Sequence, residues 1–367
     1  MVFSNTVEDA TFNKLSVDIE DVDVSFVNAL RRITISEVPT AAFDEHITFN
    51  KNTGSLHNEF LSHRLSLIPL RFTWDEIDNF VPTKYNFSLK VKNQTDGMIT
   101  VTTKDFIISD DTGKVYPQEF HRRMFPANPV TGDHILITKL KPNLFDKTKG
   151  DEIDIVAMAS ISIGKVNAKW SPVSQCSYWN IVDDEAAEQG LADYVKKHEA
   201  TGMSVAELQS RFNTLEVFRC YKKNQYDEPC AFRFELQSEC HLDPRFIIKK
   251  ALSIMQDKIT TLNTNIIDNN QEAVAIRQEN GMTFLTIEKE DHTLGNLVQA
   301  LLYNHFKREN EQEDANELLY IGYYKPHPLE DNVVLKLRTK NKDAIKVVSS
   351  GLAAISTYIK DIAAEWH

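Results

Sequence analysis

Residues 341–366 read NKDAIKVVSSGLAAISTYIKDIAAEW, and Ile345, Val348, Leu352, Ile355, Ile359, Ile362 and Trp366 recur there in steps of three and four. That spacing puts seven apolar side chains on one stripe of a long helix, opened by the polar Asn341 and Asp343. The same pattern occurs once more, after Asp243-Pro244, where Ile248, Leu252, Met255, Ile259, Leu262 and Ile266 step by four and three. Two helices about a hundred residues apart therefore carry matching apolar seams.

Each seam helix follows a shorter amphipathic helix earlier in the chain. Asp23 or Ser25 opens one, with Phe26, Leu30 and Ile33 inward; Asp291 or Thr293 opens the other, with Leu294, Leu297, Val298, Leu301 and Leu302 inward. Period-two strands accompany them: Leu15-Val17-Ile19 and Phe232-Phe234-Leu236 in the first half, then 273–278 and 282–288 around an Asn280-Gly281 hairpin, 319–324 and 333–339 in the second. The halves share an order of elements without sharing a sequence. Periodicity leaves two arrangements open: the seams face each other, or each covers its own sheet.

Between about 47 and 169 the character changes to short alternating strands, such as Phe87-Leu89-Val91, Ile99-Val101 and Ile153-Ile155, separated by Pro, Asp and Gly turns. This is the pattern of an inserted β-rich domain. The fold class is α+β, organised as 1–46 and 170–266 for the first module, 47–169 for the insertion and 267–367 for the second module. An acidic stretch at 183–215 reads as an exposed helical excursion.

The 367 residues include 42% hydrophobic ones and carry a formal net charge of -12. Such a field repels phosphate, which argues against gripping nucleic acid and favours protein partners. His121-Arg122-Arg123 is short enough to be a solvated turn. No run approaches the roughly 18 apolar residues of a membrane span, and the start MVFSNTVEDATFNK lacks the basic-then-apolar character of a secretory signal, so an intracellular protein is expected. Cys176, Cys220, Cys230 and Cys240 form no CxxC pair; their ten-residue spacing, ending beside His241, is not that of a zinc site, and reduced thiols are expected.

The runs Asn28-Ala29-Leu30-Arg31-Arg32, Glu37-Val38-Pro39-Thr40, Glu59-Phe60-Leu61, His63-Arg64-Leu65, Leu67-Ile68-Pro69-Leu70, Gly164-Lys165 and Ala168-Lys169-Trp170-Ser171-Pro172 together resemble the assembly subunit of cellular RNA polymerases: bacterial alpha, archaeal D and the third subunit of eukaryotic polymerase II. Residues 290–297 (EDHTLGNL), with Gly322-Tyr323 and Pro326-His327-Pro328-Leu329, resemble that family's small partner, archaeal L or the eleventh eukaryotic subunit. The two resemblances meet near 267–272. Cellular versions are separate chains; a continuous chain is similar to the fused versions of large nucleocytoplasmic DNA viruses, which implies viral transcription, with host cytoplasm and virion as expected locations and the nucleus as another.

The resemblance implies a non-catalytic platform whose two modules form an intramolecular pseudodimer. Phe26, Leu30, Ile33, Leu252, Met255, Ile259, Leu262, Leu294, Leu297, Leu301, Leu352, Ile355 and Ile359 would pair the modules. Asn28, Arg31, Arg32, Glu37, Glu59, His63, Arg64, Lys165, Lys169 and Trp170 would meet other subunits, with the largest and second-largest catalytic chains and small accessory subunits as partners. Arg31 and Arg32 are expected to point away from the Phe26-Leu30-Ile33 face, where guanidiniums can fork-bond a partner's carboxylates or carbonyls; an ordinary solvated face is the plainer alternative. Asp291 and Thr293 are explained as caps, and Gly295 as a close-packing position. Many relatives hold zinc or an iron-sulfur cluster in the insertion through cysteines. Residues 47–169 contain none, so no metal or cofactor is expected there. Asn167 stands where relatives have histidine, and Ser62 and Ser66 replace small residues.

Two rivals remain. A homodimer of the alpha type would pair copies through the first module. A freestanding enzyme would work around His57, Glu59 and His63, although their spacing does not share one helical face. No DxDxD run, Gly-rich phosphate loop or HExxH accompanies them.

Overall fold

The computed structural model describes residues 2–44, 47–199, 202–239, 242–307, 318–340 and 343–366. The first module opens with β1 (Phe3–Asp9), β2 (Lys14–Glu20) and α1 (Val24–Ser36). The chain then passes through β3 (Thr40–Phe43), β4 (Thr48–Asn52), α2 (Asn58–Ser66), α3 (Trp74–Asp78), β5 (Asn86–Lys92), β6 (Ile99–Thr102), β7 (Phe106–Ser109), α4 (Gln118–Met124), β8 (Leu136–Leu140) and β9 (Glu152–Ser162). It returns to the first module with β10 (Val173–Asn180), α5 (Asp184–His198), α6 (Val205–Leu215), β11 (Ala231–Ser238) and α7 (Pro244–Ile267). The second module is β12 (Val274–Glu279), β13 (Met282–Glu288), α8 (His292–Lys307), β14 (Leu318–Tyr324), β15 (Asn332–Thr339) and α9 (Ala344–Glu365).

Two four-stranded antiparallel sheets have the same topology: β1-β2-β11-β10 and β12-β13-β15-β14. In each, a hairpin is followed by a helix, then by two strands that add in reverse order, then by a long helix. Alternation sends Leu15, Val17 and Ile19 of β2 and Phe232, Phe234 and Leu236 of β11 into one core. Leu285 and Ile287 of β13 and Val333, Leu335 and Leu337 of β15 do the same in the other. The β12–β13 turn is the expected Asn280-Gly281, with φ of 51° and 74°, the doubly positive pair of a tight hairpin whose twist matches its strands.

On the far face of β2, Asp18 is 3% exposed. Arg233 of β11 forks onto it, Nη2 lying 2.9 Å from Oδ2, and Asn5 donates to Oδ2 at 2.9 Å. Burial pushes the carboxyl upward, but the Arg233 and Asn5 hydrogen bonds outweigh it and hold Asp18 below the usual range. A carboxyl depressed in the folded state stabilises above its unfolded value near about pH 4 and ceases to as pH falls through its folded value. Stability is therefore expected to fall with acidification below about pH 4, and Asp18→Asn to flatten that slope in denaturant titrations at stepped pH; an unchanged slope would remove Asp18 from the account.

The inserted domain has a β3-β9-β5-β7 sheet, with β4 also on β9, and a separate β6-β8 pair. Residues 40–43 were assigned above to the first module; as β3 they pair with Ser162–Ala159 of β9 and belong to the inserted sheet. Rings build the domain's interior. Phe43 meets Phe87 edge-on at 5.0 Å, Phe106 stacks with Phe125 at 5.4 Å, and Phe72 meets Tyr85 at 4.8 Å. His121-Arg122-Arg123 is part of α4 rather than a solvated turn: His121 is half-buried, and Arg123 pairs with Glu76 at 2.5 Å over the Phe120 ring.

The strands entering and leaving this domain are clamped to the end of α1. Lys165 donates its N–H to Ser36 at 2.7 Å, and Ser171 Oγ donates to the Ile35 carbonyl at 3.1 Å. Thr40 Oγ1 donates to the Trp170 carbonyl at 2.6 Å. A Cβ at Gly164 would stand 2.6 Å from the Ile35 oxygen, so only glycine allows that approach.

Candidate subunit interface

The two long helices lie against each other, α7 on α9, and the two short ones do likewise, α1 on α8. Asp23, the N-cap of α1, accepts the N–H of Ser25 and, at 3.1 Å, the amide of Asn304 near the end of α8. At the other end of α1, Arg32 Nε donates at 2.8 Å to Thr293 at the start of α8. The start of each short helix thus touches the end of the other, as antiparallel, two-fold-like packing requires. At the start of α7 the Arg245 carbonyl accepts the Trp366 indole from beyond α9 at 3.0 Å, and Phe3 meets the same indole edge-on at 4.9 Å.

All thirteen residues expected to pair the modules are buried. Phe26, Leu30, Leu252, Met255, Ile259, Leu352 and Ile359 have no exposed surface; Ile33, Leu262, Leu294, Leu297, Leu301 and Ile355 have little. Phe26 reaches Tyr358 of α9 edge-on, ring centres 6.3 Å apart. Side chains of this size each gain about 1.5–3 kcal/mol of gross transfer free energy on burial. Gly295 of α8 packs as expected: a Cβ there would lie 2.7 Å from the Tyr323 ring and 2.8 Å from Val333.

Around this apolar seam runs a polar rim not anticipated from the residues. Lys258 of α7 sits 2.9 Å from Glu37 and 2.8 Å from Glu290, all three side chains at most 18% exposed. Burial opposes its charge, yet the two carboxylates win and raise its pKa above the ordinary lysine value. Beside them, Asp291 approaches Arg32 at 3.6 Å and Lys165 at 3.9 Å. Burial raises the Asp291 carboxyl, but hydrogen bonds to Thr293 and the two cations hold it below its usual value. Asp291 also accepts the Thr293 N–H at 2.8 Å, the cap expected for α8. Three cations and three anions, from both modules and the turn that follows β9, neutralise one another.

Several residues expected to meet other subunits also have partners within the chain. Arg32 and Lys165 approach Asp291 of the second module, and Glu37 pairs with Lys258 of α7 in the first; the partners of Arg32 and Glu37 lie more than 200 residues away in sequence and that of Lys165 about 125. Arg31 folds back on Asn28, with Nη2 3.1 Å from Oδ1. Lys169 donates to the Phe43 carbonyl at 3.1 Å and covers the ring of Trp170, itself 7% exposed with its indole on the Ser160 carbonyl. Arg64 binds the carbonyls of Leu136 and Ile137 at 2.8 and 3.2 Å.

Glu59 and His63 are exposed on α2. Alongside them the structure shows an apolar patch: Phe60 is 69% exposed, Leu67 56%, Ile135 43% and Leu136 42%. Its signal was present in the residues. Leu61 and Leu65 face the core at i, i+4, while Phe60 and Leu67 form a second stripe at i, i+7. His57 occupies the N-cap position of the same helix. Among the described residues, no group of three or more His, Cys, Asp or Glu could hold a metal ion. Cys176, Cys220 and Cys230 are free thiols, with burial pushing Cys176 up to about 12; Cys240 and His241 lie outside the described residues, as does Asn341. None of the described helices is long and apolar enough to cross a membrane.

Two facing α+β modules of one topology, the first interrupted by a β-rich domain, are the arrangement that the motif resemblances imply. Residues 16–259 match the family described as the RNA polymerase Rpb3/Rpb11 dimerisation domain, and residues 283–365 match a second family of the same description. The chain belongs to the RNA polymerase Rpb3/Rpb11 dimerisation family. Among its relatives are the DNA-directed RNA polymerases IV and V subunit 3B of Arabidopsis thaliana, 34% identical over 49% of this chain and 58% of that protein, and the DNA-directed RNA polymerases I and III subunit RPAC1 of Homo sapiens, 28% identical over 67% of this chain and 79% of that one. The DNA-directed RNA polymerase subunit Rpo3 of Pyrococcus horikoshii is 27% identical over 68% of this chain and 92% of its own length. The chain spans little more than half the length of the Arabidopsis relative. In Rpb3/Rpb11 terms, the rim joins a first-match helix, α7, to a loop and helix start that lie within the second match.

Proposed function

We propose that this chain is a non-catalytic assembly platform of a DNA-directed RNA polymerase, pairing its two modules within one chain and docking the two large catalytic subunits. The observation that carries this is the presence, in one polypeptide, of two Rpb3/Rpb11-type modules whose seam helices are buried against each other. With both seams covered, a second copy has no matching seam to pair with. The joint between α7 and β12 is only residues 268–273, which makes the encounter of the modules intramolecular. The surface for a large subunit is the outer face of α2, where Glu59 and His63 accompany Phe60 and Leu67: an apolar centre with polar neighbours is the composition of a protein interface. Small accessory polymerase subunits are further partners in this proposal. It extends to a viral polymerase working in the host cytoplasm and carried in the virion, on the ground that both modules run in one continuous chain.

Affinity purification of the tagged chain from its native source, with copy number measured by mass spectrometry, tests the platform. One copy beside one each of two very large chains is expected. Two copies would favour the homodimer, and a chain recovered alone with catalytic turnover would favour an enzyme. Phe60→Asp with Leu67→Asp is expected to cut recovery of a large subunit at least about tenfold, since a desolvated apolar anchor typically contributes more than 1 kcal/mol, while circular dichroism stays unchanged. Unchanged recovery would exclude α2 as the docking face.

A further inference from the structure

Each module sheet has two outer strands, and these are β1 and β10 in the first and β12 and β14 in the second. An outer strand leaves every second N–H and C=O without a ladder partner, and folded proteins blunt such edges with charges, prolines or irregular register. β1 ends in Glu8-Asp9 and shifts register between Ser4 and Val7, while β12 carries Arg277 and Glu279, paired at 3.4 Å. β10 lies beside Arg233 and Glu235 of β11, whose charges Asp18 and Lys14 already answer. β14 differs. Its seven residues, LLYIGYY, hold no charge and no proline, and after one shift between Leu318 and Tyr320 its register runs evenly to Tyr324. Leu319, Tyr320 and Tyr324 are exposed on it. The cations beside this strand are unanswered. Tyr320 faces Arg338 and Gly322 faces Lys336, both on β15, and Lys325 follows the strand's end. Among the described residues none of the three meets a carboxylate, although Lys336 rests over the Phe284 ring at 5.6 Å. In the first sheet the cation at the equivalent place, Arg233, faces Asp18 in register; in the second, Lys336 faces Phe284.

We infer that the free edge of β14 receives an extended, glutamate- or aspartate-bearing segment of a partner protein as a fifth strand of the second sheet. The edge selects a polypeptide, because only another strand offers donors and acceptors at ladder spacing, and the exposed apolar side chains of β14 give that strand neighbours to pack against. The cations select its charge. Side chains on the outward face of an added strand stand two strand spacings, about 10 Å, from β15, within the joint reach of a glutamate and a lysine or arginine. Nucleic acid and anionic membranes are drawn to the same cations, but they leave the edge N–H and C=O groups unpaired and are repelled by the net charge of -12. A second copy of this chain offers β14 itself, which has no carboxylate to meet the cations. The inference stands on the second module's own sheet and rests on neither the polymerase reading nor the pairing of the modules.

The test uses the purified full chain, so that the acidic run 309–317, which precedes β14 in the sequence, is present throughout. The probe is a fluorescein-labelled nonapeptide alternating glutamate with valine, read by anisotropy at fixed salt. The wild type is expected to bind, and Lys336→Gln with Arg338→Gln to bind about five- to tenfold more weakly with circular dichroism unchanged. Lys196→Gln with Lys197→Gln, an equal charge loss at exposed positions of α5, is expected to leave affinity unchanged. N-methylation of the peptide at its glutamates or at its valines removes the donors of one strand edge or of the other. One of these two peptides is expected to lose at least about tenfold and the other to keep its affinity, since only one edge meets β14. Failure of the wild type to bind would overturn the inference, as would equal losses in the two protein variants, which show a diffuse field, or equal effects of the two methylations, which show that no ladder forms. Displacement of the peptide by equimolar single-stranded oligouridine would give the face to nucleic acid, and a dimer in mass photometry that the peptide dissolves would give the edge to a second copy; either result overturns it too.

Discussion

Lys258→Ala is expected to destabilise the folded chain by about 3 kcal/mol, the low end for breaking a buried ion pair, because it strands Glu37 and Glu290 beside each other with 10% and 18% of their side chains exposed. Two neighbouring carboxylates without their cation repel and keep their desolvation cost. Lys258→Met combined with Glu37→Gln and Glu290→Gln is expected to recover most of the loss, since the stranded charges leave together. The effect should be constant across neutral pH. Lys258 has a raised pKa, so its contribution is complete below the unfolded lysine value near about 10.4 and disappears only as pH climbs through the higher folded value. Denaturant unfolding of the three proteins measures this; a loss below about 1 kcal/mol would mean that water screens the trio as it does a surface pair.

Phe26→Ala is expected to cost about 3–5 kcal/mol, the range for emptying a fully buried ring site. Its ring belongs to the core of the first module and also meets Tyr358 across the junction, so part of the loss should appear as weaker association. Placing a protease site within 268–273 makes that part measurable. The cut wild-type chain is expected to run as a 1:1 complex in size exclusion, and the cut Phe26→Ala chain to fall apart at concentrations at least about 100-fold higher, each 1.4 kcal/mol being tenfold. If both cut chains separate equally, the seam does not hold the modules together and the covalent joint does.

Those seams were legible because a helix repeats its burial every 3.6 residues over six turns, long enough for Ile345 to Trp366 to stand out from chance. The Asn280-Gly281 turn was legible because few dipeptides accept two positive φ angles. β1 and β10 were not read. They are the two edges of their sheet, mostly exposed or half-buried, and with one neighbour each they show no alternation. β3 is four residues, too short for any period, and its pairing with β9 crosses more than a hundred residues. The partners that charged residues find within the chain were not legible. Burial of an apolar side chain follows from its own chemistry and spacing, whereas the direction of Arg32, Glu37 or Lys165 depends on a partner brought close only by the completed fold. Lys258 escaped notice for the same reason, as a lysine beside Ile259 on a seam helix looks like an edge-of-stripe surface residue. The exposed stripe of Phe60 and Leu67 could have been read from two apolar phases on one short helix.

The order of the modules along the chain bears on its synthesis. α1 and α7 leave the ribosome about a hundred residues before α9 is complete, and at about 5–20 residues per second that interval lasts roughly 5–20 s. Through it the stripe from Ile248 to Ile266 has no mate. Were the mate a separate polypeptide, the length of this vulnerable period would depend on how abundant it was in the cell. Here translation speed sets it, and a nascent chain needs shelter from chaperones for one bounded interval, after which its own tail arrives to cover what was bare.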